Sequence, residues 1–208
     1  SKLYQLNFEE AENSFLRFTS NFKGGNYIKS AYHKLSLISF LTDSIDKRDF
    51  YQNKTLELGQ SFIEEDKYSE NQVKNRNIDN KDLIMARLLF DGGYYQRSLN
   101  ILESINQPAL KDYYLAEYYY RIARLYQKLN YSKNDILDAF YKLLDLENSY
   151  NLYYFPMSNL QIALEYEKEE NDKAALMYFQ KTLKYDAFDY ETGIKKSAKA
   201  GLNRIRNN

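Results

Sequence analysis

Few residues in this chain have the types and spacing to do chemistry. His33 is the single histidine. One imidazole could act as a general base, but no second histidine or cysteine joins it to hold a soft metal. Cysteine is absent, which excludes disulfides, thiolate ligands and cysteine nucleophiles. Glu64, Glu65 and Asp66 form an acidic run that could hold a hard cation. The run lacks the alternating ligand spacing of a calcium loop, so it reads as a solvated acidic stretch. Gly24-Gly25 and Gly92-Gly93 are not phosphate cradles. Neither precedes a Lys-Ser/Thr pair or sits in a G-x-G-x-x-G frame, and both read as helix turns. Glycan cleavage would need two carboxylates across a cleft with separated pKa values, and no position singles itself out. No residue stands out as catalytic, as a metal ligand or as a cofactor contact, so the protein is expected not to be an enzyme. The remaining chemistry is recognition, in which Arg and Tyr are the favoured anchors.

The elements that would position such residues are legible from a recurring pattern. Met85-Ala86-Leu89, Ile122-Ala123-Tyr126 and Ile162-Ala163-Tyr166 repeat an aliphatic residue, then a small one, then a large one three later. The alanines lie 37 (86 to 123) and 40 (123 to 163) residues apart. A second run follows each alanine after twelve or thirteen residues: Ser98-Leu102-Ile105, Ile136-Phe140-Leu143 and Ala175-Phe179-Thr182. Spacings of three and four are helical, so each unit predicts two short antiparallel helices. Self-similarity at this period marks a stacked array.

Composition agrees with a helical domain. The 208 residues suffice for one domain with a core, expected over 1–208. Two prolines and seven glycines suit a mostly helical chain. Lys+Arg and Asp+Glu both total 29, and a net charge of zero argues against bulk nucleic-acid binding. No apolar run approaches the roughly 18 residues of a membrane span; the best, 83–90, is short and contains Arg87. The compartment stays open between cytoplasm and periplasm.

Along the chain, 7–18 reads as the second helix of a unit whose first helix lies upstream. With Ser1 in place of a starting Met, this predicts a segment of a longer array. Residues 27–42 form a helix with Ala31, Leu35, Ile38 and Leu41 on one face. A turn at 43–46 leads to a helix over 47–62, through Phe50, Leu56 and Leu58. The first irregular unit thus spans 7–62. The stretch 64–80 is polar and reads as a long loop, with at most one turn of helix. Helix pairs are then predicted in units at 81–105, 110–147 and 155–185, with Pro156 at the start of a helix. A capping helix at 187–206 closes the array, with Ala198, Gly201, Leu202 and Ile205 inward and Lys195, Lys196, Lys199, Arg204 and Arg206 in water.

The pattern resembles the tetratricopeptide repeat, best through 159–166 with Ala175, Phe179 and Thr182, and also through Tyr119, Ile122, Ala123, Tyr126, Phe140 and Leu143. The units here are longer than the family period of about 34, and Ala187 stands where the family closes a repeat with proline. The phrases at 22–27, 88–95 and 198–202 are similar to a bacterial subfamily of these proteins to which no activity is assigned. The resemblance implies an all-α, right-handed superhelical array of antiparallel helix pairs. It implies a scaffold whose concave face binds a peptide or protein segment. By family position Tyr119 and Tyr126 belong to the core. Tyr120 and Arg124 project toward the binding face, Arg87 occupies the position of Arg124 one unit earlier, and Gln127 and Glu167 share another. Two arginines could grip a carboxylate or pair with neighbouring Asp and Glu, and both readings stand. The alternative functions are a structural segment of a larger envelope-associated protein and, remotely, a glycan-cleaving enzyme on a helical scaffold.

Overall fold

The computed structural model describes residues 1–75, 80–146 and 152–207. These form eleven α-helices and no strand. They are α1 (Phe8–Asn21), α2 (Ile28–Leu41), α3 (Ile45–Glu57), α4 (Glu64–Lys74), α5 (Lys81–Asp91), α6 (Tyr95–Glu103), α7 (Asp112–Lys128), α8 (Lys133–Leu144), α9 (Tyr154–Lys168), α10 (Asp172–Thr182) and α11 (Glu191–Arg206). The expected all-α architecture is present, and neighbouring helices pack on one another. The chain divides into two compact units, Ser1–Tyr94 and Tyr95–Asn208.

In the first unit α2 is the central element, packed by α1, α3 and α4. Its predicted apolar face is buried: Ala31, Leu35, Ile38 and Leu41 are at most 9% exposed. Ile38 and Leu41 join Leu3, Ala11, Ile84 and Leu88 in one core cluster. The polar stretch after residue 63 differs from expectation, because it holds the three-turn helix α4 over Glu64–Lys74. Residues 76–79 of that stretch lie outside the described residues. Asp66 explains the helix's place. Tyr27, at the start of α2, is left-handed and supplies no side-chain cap. The Asp66 carboxylate arrives from α4 instead, accepting from the backbone N–H of Tyr27 at 2.6 Å and of Ser30 at 2.9 Å. It thereby takes up N-terminal donors that the helix itself cannot satisfy. Asp66 is fully buried, not part of a solvated acidic run.

The structure differs from the sequence expectation at two further helices. The helix predicted over 47–62 stops at Glu57, because Leu58 is extended and Gly59 adopts φ +78°. A Cβ on Gly59 would also press on Ile28. Its buried face is one residue away from that expected. Tyr51 and Thr55 point inward, while Phe50, Leu56 and Leu58 are exposed. The closing helix starts at Glu191 rather than 187, since Ala187 and Tyr190 are both left-handed.

In the second unit α7 packs on α8 and α9 on α10 most extensively, and α11 closes on α10. The links of three and four residues between partners turn the chain straight back. Helices α7, α9 and α11 also touch in series, so one layer is made of alternate helices. Close approach is built in by small residues. Ala123, Ala163 and Ala175 have no exposed surface, and a Cβ on Gly201 would collide with the Phe179 ring.

One closing device recurs at four helix ends. Asp43, Gly93, Asn130 and Glu170 are all left-handed, with φ of 59°, 81°, 57° and 57°. The next residue's N–H then bonds back five residues: Ser44 to Ser39, Tyr94 to Leu89, Tyr131 to Tyr126 and Asn171 to Tyr166, at 2.8–3.0 Å. This is the Schellman closure, which satisfies orphan carbonyls at a helix C-terminus. Ala86, Ala123 and Ala163 each stand seven residues before the left-handed residue (86 to 93, 123 to 130, 163 to 170). Counting seven back from Asp43 reaches Ser36, only 3% exposed. The small-residue position therefore recurs once more, with serine in place of alanine.

Candidate functional site

The layer formed by α7, α9 and α11 carries four of the five sequence-predicted site residues. Tyr120 and Arg124, one turn apart on α7, are brought together. An Arg124 Nη1–H donates to the Tyr120 hydroxyl at 3.2 Å, and the guanidinium lies 6.0 Å from the ring centre. Tyr120 is only 6% exposed. It packs against the start of α9, with ring centres 5.9 Å from Tyr153 and 5.1 Å from Tyr154. Tyr153 continues the series to Tyr190 at 5.5 Å, and Tyr190 is well exposed at the start of α11. The rings thus lead from the interior to the surface.

Below them lies a buried ion pair. Arg121 Nε donates to Glu117 Oε1 at 2.9 Å, and both side chains are under 10% exposed. Burial opposes the Arg121 charge, but Glu117 and the phenolic oxygens of Tyr153 and Tyr154 together raise its pKa above the ordinary arginine value. Burial also pushes the Tyr153 and Tyr154 phenols upward. These hydroxyls therefore stay protonated at neutral pH. Arg124 sits at the edge of this cluster with its Nε enclosed and lacking an acceptor among the described residues.

Further along the layer, Gln127 Nε2 donates to Glu165 Oε1 at 2.6 Å and to Gln161 Oε1 at 3.2 Å. Lys168 also reaches Glu165 at 2.8 Å. Glu167 faces α11, where Arg204 grips it bidentately through Nε at 2.9 Å and Nη2 at 2.7 Å. Gln127 and Glu167 share a register but work as rivets between successive helices of the layer. Arg87 belongs to the first unit, where its charge acts on His33 and Lys34. Tyr119 and Tyr126, expected in the core, are half-buried. Tyr119 donates to Gln107 at a long 3.4 Å, and Tyr126 stacks on Tyr131 at 4.3 Å.

Sequence reasoning missed Glu117, Arg121, Tyr153, Tyr154 and Tyr190. The four-residue spacing of Glu117 and Arg121 is a readable helix-pair signal. That the pair is buried under tyrosines from α9 depends on tertiary packing. Among the described residues no group of three His, Asp or Glu side chains is placed to hold a metal ion. No described helix is long and apolar enough to cross a membrane. Compared with family models, curated proteins and solved structures, the chain matches none of them.

Proposed function

We propose that the second unit is a non-enzymatic binding module of tetratricopeptide-like superhelical design, taking a peptide or protein segment on the α7–α9–α11 layer. The repeating alanine positions, the shared Schellman closures and the serial contact of alternate helices support that design. Arg124 carries the functional reading. A buried cationic N–H without an acceptor costs about 1–3 kcal/mol, and a carboxylate on an incoming segment would satisfy it. The neighbouring tyrosines add rigid area of the kind enriched at binding hot spots. Arg204 and Arg121 are already paired with acids, so Arg124 gains most from a partner's carboxylate.

An array of peptides with and without acidic residues, probed with the full chain, tests this. Arg124→Gln should weaken capture of acidic peptides by about tenfold, equivalent to roughly 1.4 kcal/mol. Unchanged capture would sink the reading. A second reading, a structural segment of a larger assembly, is favoured by the outer face of α3, where Ile45, Phe50 and Leu56 are exposed. It is distinguished by Phe50→Ser, which should then abolish self- or partner assembly and leave peptide capture intact.

A further inference from the structure

A cleft of about 510 Å³ opens beside the C-terminal ends of α8 and α10, lined among the described residues by Leu144, Asn159, Lys181, Lys184 and Tyr185. Its volume falls in the usual range for small-molecule sites. Three observations give it a chemical character. First, its charged lining is cationic. Lys181 rests over the Tyr178 ring at 4.7 Å, and neither Lys181 nor Lys184 has an ion-pair partner among the described residues. Second, Asn159 is 2% exposed and fixed through its Nδ2, which donates to the Phe155 carbonyl at 3.1 Å and to the Tyr185 hydroxyl at 3.3 Å. Third, this anchoring leaves Asn159 Oδ1 enclosed with no donor among the described residues. Buried polar atoms are ordinarily paired, so the atom calls for an N–H or O–H from outside the chain's own groups.

We propose that this cleft binds a small anion that also carries a hydrogen-bond donor, the chemistry of a hydroxy acid or a polyol phosphate. The anionic oxygens meet Lys181 and Lys184. The ligand's hydroxyl donates to Asn159 Oδ1, and Tyr185 holds the amide in place. The site shares α9 with the α7–α9–α11 layer through Asn159, but it does not include Arg124.

The test titrates the full, nitrogen-15-labelled chain with inorganic phosphate, glycerol 3-phosphate and malate in turn, following the Asn159 side-chain amide by NMR. Glycerol 3-phosphate or malate should shift that resonance saturably and bind at least about tenfold more tightly than inorganic phosphate. Whichever of the two binds better identifies phosphate or carboxylate as the anionic group. Lys181→Gln with Lys184→Gln removes two surface charges and should leave the melting temperature unchanged while weakening binding about tenfold. Three results would overturn the proposal: no saturable shift with any probe, equal affinity for inorganic phosphate, or binding indifferent to loss of both lysines.

Discussion

His33 stands edge-on to Tyr68 at 6.2 Å between ring centres. Burial, then the charges of Lys34 and Arg87, lower its pKa from 6.5 to about 4. Between those values the unfolded chain binds a proton that the folded chain refuses. Stability therefore falls as pH drops from 6.5 toward 4. An NMR titration should find the imidazole neutral down to about pH 4, and His33→Gln should remove that part of the pH slope in denaturant unfolding; titration near 6.5 would contradict this. The type of this residue was legible in the sequence, but its crowding was not, since Arg87 lies 54 positions away (33 to 87). The alanines are a different case. Ala123 and Ala163 have no exposed surface, as their repetition predicts. Ala163→Leu or Ala123→Leu should overpack the helix contact and cost about 1–3 kcal/mol, read from the urea midpoint. A variant as stable as the parent would remove the packing role assigned to them.

Helix α4 shows how an element can hide from local pattern. Its sequence is polar, with only Asp66, Ser69 and Val73 buried, so it offers little apolar periodicity to read. It is held by long-range polar contacts instead. Asp66 caps α2. Glu70, from the next turn, accepts from Lys74 and Ser61 and lies 3.6 Å from buried Lys29. The Lys74 and Ser61 hydrogen bonds lower the Glu70 pKa to about 2. Lys29 in turn donates to the Thr55 and Leu56 carbonyls at the end of α3. Asp66→Ala should strip the start of α2 of its acceptor and cost about 2–3 kcal/mol. Fraying of α2, seen as faster amide exchange at residues 27–31, is the accompanying sign. An unaltered exchange rate there would show that the carboxylate is dispensable. The α3 register differs from the sequence expectation for a related reason. Phe50 and Leu56 look like core by type, yet Tyr51 and buried Thr55, whose hydroxyl donates to the Tyr51 carbonyl at 2.9 Å, take the inward positions.

Over the whole molecule, the division at Tyr94/Tyr95 predicts that damage stays local. By hydrogen exchange, Asp66→Ala should loosen residues before 95 and spare those after, and Ala163→Leu should do the reverse. Uniform loosening by either variant would mean one cooperative block. The division cuts between α5 and α6, which the sequence joins as one helix pair through Gly92-Gly93, because the repeat pattern reports local helix hairpins and is blind to which neighbours share a core. The sequence alone determined the helical class, most helix positions, the buried alanines and the inward places of Ala198, Gly201 and Leu202 on α11. Those follow from short-range periodicity, which one helix carries by itself. Only tertiary structure decided that Asp66 caps a helix 36 residues away (30 to 66), and that Glu167 is held by Arg204. It also decided that Tyr120 is enclosed by Tyr153 and Tyr154 while Arg124 keeps an enclosed N–H without an acceptor among the described residues. Each of these depends on which helix lies opposite, and that is settled by packing between elements rather than by spacing within one.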